Sequence, residues 1–148
     1  MALLICLFIF TSMYAGDKVS FLKRQFTSSN GYKLNYRILY PVNYTPGKSY
    51  PVILFLHGAG ERGNDNEAQL VHGGDMLASY GNQSKYPAIV IAPQCPEGEK
   101  WAYYKQPSEN NGIREFPVAS AATPAMNAIK EMLDCYISKG LVDTRRIY

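Results

Sequence analysis

The sequence predicts an α/β fold in which an antiparallel hairpin precedes parallel strands that are joined by helices. Residues 32–40 alternate between apolar and polar side chains, which is typical of a strand with one buried face. Residues 52–56 and 88–92 are short, continuously apolar runs of β-forming residues, which is typical of parallel strands buried on both faces. An amphipathic helical pattern follows over residues 123–140.

The hairpin is the first predicted element. Its strands are expected at residues 21–27 and 32–40, and the residues between them contain Asn30-Gly31, a strong hairpin turn signal. We therefore expect an antiparallel pair at an edge of the sheet. A loop over residues 41–50 leads to the third strand, at residues 52–56.

A helical crossover is expected between the two apolar strands. Residues 66–80 have a loosely helical pattern, which Gly73-Gly74 interrupts. Because a strand, a helical crossover and a second strand follow one another, we expect a parallel pair.

The last predicted helix is the clearest element of the sequence. Thr123 is a suitable N-cap, Pro124 suits the first helical position, and Gly140 is a natural stop. We assign no chemistry to its apolar stripe, which is typical of a core-facing surface and contains Ala125, Met126, Ile129, Met132, Leu133, Tyr136 and Ile137. Residues 145–148 then look like the start of another strand.

Composition excludes several function classes. The chain has 148 residues, of which 47% are hydrophobic and 18% charged, so it is globular rather than disordered. The net charge of +3 is spread along the chain without a basic cluster, which argues against nucleic acid as the main partner. No Cys/His cluster has the spacing of metal ligands, and we expect neither a metal nor an organic cofactor.

The first fifteen residues resemble a secretory signal peptide. Residues 3–10 form an unbroken apolar run, which is too short to span a bilayer, and small residues follow it. We therefore expect residues 1–15 to be a signal peptide, residues 16–148 to be the mature domain, and the protein to be secreted or periplasmic. Cys95 and Cys135 would remain after cleavage, and the sequence leaves open whether they pair.

A strand that leads directly into His-Gly-Ala-Gly at residues 57–60 is the most informative segment. Residues 58–63 formally match the dinucleotide pattern G-x-G-x-x-G. The surroundings argue against that interpretation, because Glu61 and Asp65 place negative charge where phosphates would bind. The alternative is an oxyanion hole, in which backbone N–H groups stabilise the negative oxygen of a tetrahedral intermediate.

Three motifs together resemble a known family. They are LHGAGERGNDN at residues 56–66, IAPQCP at residues 91–96 and DTRRIY at residues 143–148. Over about residues 32–148, the chain is similar to bacterial esterases of the polyhydroxybutyrate-depolymerase and feruloyl-esterase-like group. The resemblance implies the first half of an α/β-hydrolase fold, truncated just before the G-x-S-x-G nucleophile elbow. Nucleophile, acid and base are therefore expected to lie outside this chain.

The resemblance also implies roles for the glycine loop. The backbone N–H of Ala59 is the first choice for the oxyanion donor and that of Gly60 the second, while Gly58 permits the turn. His57 is expected to brace the loop by side-chain hydrogen bonds rather than to act as the base, because the base follows the nucleophile in this fold.

Other polar and aromatic residues have weaker assignments. Glu61 and Arg62 are expected to form a local ion pair that shapes the loop. Trp101 and Tyr104 either contact a sugar or phenolic substrate by stacking or anchor a packed loop. His72 is interpreted as a surface or capping residue.

The function implied for the parent protein is hydrolysis of carboxylic esters through an acyl-serine intermediate. Its substrate is an acylated polysaccharide, a polyester or a small ester, and the 148-residue chain alone is expected to be inactive. Two alternatives remain: a secreted, non-catalytic module that binds glycan or polymer, and the front part of a serine peptidase of the same fold. In this fold the third strand lies between the fourth and fifth, so an incomplete fifth strand is expected to leave residues 52–56 as an exposed apolar edge.

Overall fold

A computed structural model of the chain describes residues 19–105, 114, 116–117 and 121–148. The signal peptide expected at residues 1–15 lies outside them. The described strands are β1 (Leu22–Thr27), β2 (Lys33–Leu39), β3 (Tyr50–Leu54), β4 (Ile89–Pro93) and β5 (Val142–Ile147). The described α-helices are α1 (Gly74–Ala78), α2 (Tyr80–Lys85) and α3 (Pro124–Ser138), and short 3₁₀ helices lie at Ala59–Glu61 and Ala68–Leu70.

The five strands form one mixed sheet in the order β1-β2-β4-β3-β5. β1 pairs antiparallel with β2 at the edge, which confirms the predicted hairpin. β3 runs parallel to both β4 and β5, which confirms the predicted α/β arrangement. The carboxyl ends of β3, β4 and β5 therefore meet at one edge of the sheet.

The sheet is covered on both faces at its centre. Every residue of β4 is buried. Its Ile89 and Ile91 pack in a cluster with Ile129 and Met132 of α3, whereas Val90 packs on the opposite face with Ala78 of α1. Successive strand residues point to opposite faces, so a strand between two layers is apolar at every position.

Helix α3 begins and ends as its sequence predicts. The Thr123 side chain accepts a hydrogen bond from the N–H of Met126, and Pro124 occupies the first helical position. Gly140 has a φ of 70°, the left-handed conformation that commonly ends a helix.

The crossover between β3 and β4 is less regular than the helical pattern of residues 66–80 indicated. Three short pieces replace one helix: the 3₁₀ turn at Ala68–Leu70, α1 and α2. Gly73 has a φ of 100° immediately before α1, so the chain turns there instead of continuing as a helix.

The expectation that residues 52–56 form an exposed edge was wrong. β5 pairs with β3 along that edge, and Tyr148 exchanges backbone hydrogen bonds with Val52 and Leu54 at 2.9 and 2.8 Å. The strand that begins at Val142 is thus long enough to cover β3. β5 is itself the outer strand, and its last four residues are exposed.

Candidate active site

The glycine loop lies at the edge where the parallel strands end. Residues 55–63 follow β3, and residues 94–101 follow the adjacent strand β4. Because both loops leave neighbouring parallel strands in the same direction, their residues come into contact. Ligands of open α/β sheets bind outside such carboxyl ends.

The two amides predicted as oxyanion donors begin a short helix. Ala59 and Gly60 are the first residues of the 3₁₀ helix Ala59–Glu61. Bonds in such a helix join residues three apart, so its first donor is Glu61, and the N–H groups of Ala59 and Gly60 lie outside its ladder. Within residues 19–105, neither of these amides donates to a backbone or side-chain acceptor elsewhere. The loop therefore presents two adjacent N–H groups at the sheet edge.

Gly58 contributes space rather than conformational freedom. Its φ of −77° and ψ of −173° are extended backbone that any residue adopts. A Cβ atom at this position would lie 3.0 Å from Oε2 of Glu61. Gly58 therefore leaves room for the Glu61 carboxylate, and it does not have the expected role of permitting the turn.

His57 braces the loop through both ring nitrogens. Its Nε2 accepts a hydrogen bond from the N–H of Cys95 at 2.9 Å, so Nδ1 carries the proton and donates to the carbonyl of Gly58 at 2.6 Å. The residue is buried, with 6% of its surface exposed. With both nitrogens occupied, the imidazole has no free lone pair with which to act as a general base.

Trp101 anchors the same loop from the β4 side. Its indole N–H donates to the carbonyl of His57 at 3.0 Å, and its ring meets the imidazole edge-on at 5.2 Å between centroids. Its own carbonyl accepts from the hydroxyl of Thr123, the N-cap of α3, at 3.1 Å. These contacts fit the loop-anchor alternative, while the indole also lines the cavity described below.

A buried glutamine holds the far end of the loop. Gln94 is 1% exposed and follows directly after β4. Its Nε2 donates to the carbonyl of Glu61 at 3.2 Å and to Oδ1 of Asp65 at 2.7 Å, while its Oε1 accepts from the N–H of Asn66 at 2.7 Å. One side chain therefore ties three positions of the loop to the sheet.

Asn66 completes this attachment. Its φ is 55°, and its side-chain Nδ2 donates to the backbone carbonyls of Arg24 and Tyr36, both at 3.2 Å. The sequence contained Gln94 and Asn66 within the family-like motifs but offered no role for them. For Gln94 the available signal was a polar residue directly after a buried strand, where an unpaired amide is costly.

The expected ion pair between Glu61 and Arg62 is replaced by other contacts. Oε1 of Glu61 lies 3.4 Å from Nε2 of His72, whose side chain is 79% exposed, as a surface residue should be. Arg62 instead contacts the Cys95 thiol. Burial raises the pKa of that thiol, and the Arg62 guanidinium opposes the rise only in part.

A cavity of about 220 Å³ opens beside the two amides. Tyr104 forms part of its wall, and Nζ of Lys100 lies 4.3 Å from the centroid of the Tyr104 ring. The remaining lining residues come from the glycine loop and the segment after β4, and they are His57, Gly58, Ala59, Arg62, Trp101, Ala102 and Phe116. Ala59, the first choice for the oxyanion donor, thus shares one cavity with Trp101 and Tyr104, the residues predicted for substrate contact.

Cys95 and Cys135, whose pairing the sequence left open, do not form a disulfide. Cys95 is buried and Cys135 partly exposed, and both are free thiols.

In the described part of the chain, no group of three or more His, Cys, Asp or Glu side chains is placed to hold a metal ion. No helix among the described residues is long and apolar enough to cross a bilayer.

Comparison with solved structures identifies the fold. A thermostable esterase matches 86% of this chain with 30% sequence identity and a TM-score of 0.70. The chain has a partial α/β-hydrolase fold. This partial α/β-hydrolase spans 33% of the length of that esterase. No protein-family model matches it, and a comparison with curated proteins finds no match.

Two further structures are similar to this partial α/β-hydrolase at a lower level. A ferulic acid esterase from Anaeromyces mucronatus, in complex with ferulic acid, is 15% identical over 93% of this chain and 47% of its own, with a TM-score of 0.47. The isopeptidase AtxE2 is 15% identical over 88% of this chain and 19% of its own, with a TM-score of 0.47. Similarity at this level carries no argument about activity.

Proposed function

We propose that the chain supplies the oxyanion hole of a serine carboxylic-ester hydrolase. The observation that carries this proposal is the pair of adjacent amides of Ala59 and Gly60 at the carboxyl edge of parallel strands, where Ala59 lines a cavity. The buried side chains of His57 and Gln94 hold the loop through four hydrogen bonds, so the donors are positioned before substrate binds. Preorganised donors of this kind stabilise the charge that develops on the substrate oxygen.

The nucleophile of this proposal follows β5. Tyr148 lies beside the carboxyl end of β3, so residues after it would emerge at the edge that carries the amides. A serine there would attack the ester carbonyl, its proton would pass to a histidine further along the chain, and the alcohol would leave. Water would then release the acid from the acyl-serine. By this proposal the 148-residue chain alone is inactive.

The same proposal places the enzyme outside the cytoplasm, secreted or periplasmic. The apolar run at residues 3–10 and the small residues after it support export. Amino-terminal sequencing of the exported protein is expected to begin near residue 16. A mature protein that retains residues 1–15 would contradict it.

The first experiment concerns the reading frame beyond codon 148. We expect an in-frame Gly-x-Ser-x-Gly within about ten residues. The variant Ala59→Pro, made in the enzyme encoded by the whole frame, removes the N–H of residue 59. Proline is tolerated there because residue 59 is the first position of a helix and because the preceding Gly58 is extended. Loss of one oxyanion donor typically lowers kcat by about 10²–10³-fold.

The matched control is Ala59→Gly, which keeps the N–H. We expect hydrolysis of p-nitrophenyl acetate to fall in the proline variant with little change in KM and to stay within a few-fold in the glycine variant. Equal activity of both variants would refute the oxyanion role. Comparing esters with the matching amides as substrates then separates an esterase from a peptidase.

A further inference from the structure

The cavity beside the amides is surrounded by positive charge. Arg62 and Lys100 line it, and the guanidinium carbon of Arg114 lies 5.0 Å from the centroid of the Tyr104 ring that forms its wall. Lys100 contacts the same ring at 4.3 Å. A cation over an aromatic ring is held in place but keeps its full charge. Tyr104 therefore gathers two cations at the cavity without neutralising them.

The described residues that line this cavity carry no negative charge. Among residues 19–105, 114, 116–117 and 121–148, none that lines it is Asp or Glu. Two carboxylates of the described residues are next to this lining in the sequence. Oε1 of Glu61 lies 3.4 Å from Nε2 of His72 while its Oε2 packs against Gly58, and Glu99 accepts a hydrogen bond from the hydroxyl of Tyr32 at 2.8 Å. With Arg62 and Lys100 in it, the described lining carries a net positive charge, which favours an anionic group.

The shape of the cavity limits the size of that group. Its volume of about 220 Å³ exceeds the roughly 150 Å³ that holds benzene in an engineered protein cavity. Trp101, Tyr104 and Phe116 supply aromatic surface that suits a flat ring. We propose, on the basis of the proposed function, that the ester substrate carries a ring-sized group with a carboxylate that binds in this cavity.

Binding to the 148-residue chain tests this proposal without any catalytic step. Trp101 is the only tryptophan of the chain, so its fluorescence reports occupation of the cavity. We would titrate the chain with benzoate and with benzamide, which match in size and differ in charge. We expect saturable binding of benzoate and an affinity for benzamide that is weaker by about fivefold or more.

The double variant Lys100→Met and Arg114→Met removes both cations on Tyr104. We expect it to bind benzoate no better than benzamide, while circular dichroism verifies that it folds. Lys85→Met is the matched control, because Lys85 lies 5.1 Å from the ring of Tyr86 in a contact of the same kind on α2. It is expected to leave benzoate binding unchanged.

Three results would overturn the inference: equal affinity for benzoate and benzamide, unchanged benzoate binding in the double variant, or an equal loss in the Lys85 control. These outcomes are separate from the fate of the proposed function. A full-length enzyme that hydrolyses p-nitrophenyl acetate without charge-selective binding would retain its function and lose this substrate class. If the reading frame contains no nucleophile but the chain still binds benzoate in preference to benzamide, the proposed ester hydrolysis fails and the anion-binding cavity stands.

Discussion

Replacing His57 by alanine is expected to destabilise the chain far more than replacing its other histidine. The imidazole satisfies the buried N–H of Cys95 at 2.9 Å, and it also donates to the carbonyl of the exposed Gly58 at 2.6 Å. A buried polar group left without a partner costs about 1–3 kcal/mol, and this cost applies to the N–H of Cys95, whereas water can reach the carbonyl of Gly58. The lost edge-on contact with Trp101 adds about 0.5–1.5 kcal/mol.

The assay is urea unfolding of the 148-residue chain, followed by the fluorescence of Trp101. Because domains of this size have free energies of unfolding of about 5–15 kcal/mol, a loss of about 2 kcal/mol or more is a large share of the total. The midpoint should shift to lower urea with an unchanged slope, since the surface exposed on unfolding stays nearly the same.

His72→Ala is the matched control. The His72 side chain is 79% exposed and contacts only Glu61 among the ion pairs of the described residues. An exposed pair of this kind contributes about 0–1 kcal/mol. If His57→Ala destabilises the chain by no more than His72→Ala does, the bracing role of His57 is refuted.

Three further outcomes are expected from other buried or charged groups. Gln94→Leu removes three hydrogen bonds to the loop and leaves the buried N–H of Asn66 without its acceptor, so it should lower the free energy of unfolding by about 2 kcal/mol. The exposed Gln25→Leu should change it little; equal effects in urea unfolding would contradict the role of Gln94 in holding the loop. Hydrogen bonds, first from the N–H of Arg145, lower the pKa of Asp143 to about 2, so its stabilisation is present above pH about 4 and is lost as the pH falls toward 2. Urea midpoints of Asp143→Asn and the parent chain should therefore differ at pH 7 and converge near pH 2; a constant difference would contradict this. Iodoacetamide should alkylate Cys135 before Cys95, because burial raises the pKa of the Cys95 thiol; peptide mass spectrometry that finds equal rates would count against it.

Local sequence patterns were enough to predict most of the secondary structure. The hairpin of β1 and β2 follows from period-two alternation around a turn, and α3 from its cap at Thr123 and its stop at Gly140. These features depend on neighbours within a few residues, so one sequence shows them directly. The family-like motifs added the position of the glycine loop and the order of β4, β3 and β5.

The site could be predicted only in part, because its supports are distant in sequence. His57 bonds to Cys95, and Gln94 bonds to Glu61 and Asp65, across about 30 to 40 residues. Such bonds arise when neighbouring parallel strands end at the same edge, and no local pattern encodes which atoms then meet. For the same reason the expected pair of Glu61 with Arg62, which are adjacent in sequence, did not form.

By itself the sequence determined an α/β chain with an N-terminal hairpin, a capped α3 and a glycine loop after a buried strand, since periodicity and turn chemistry are local. Only the tertiary structure decided that β5 covers β3, that both nitrogens of His57 are occupied, and that two cations meet on Tyr104. Each of these depends on the register between strands or on the path of a loop, and burial fixes both only when the whole sheet has assembled.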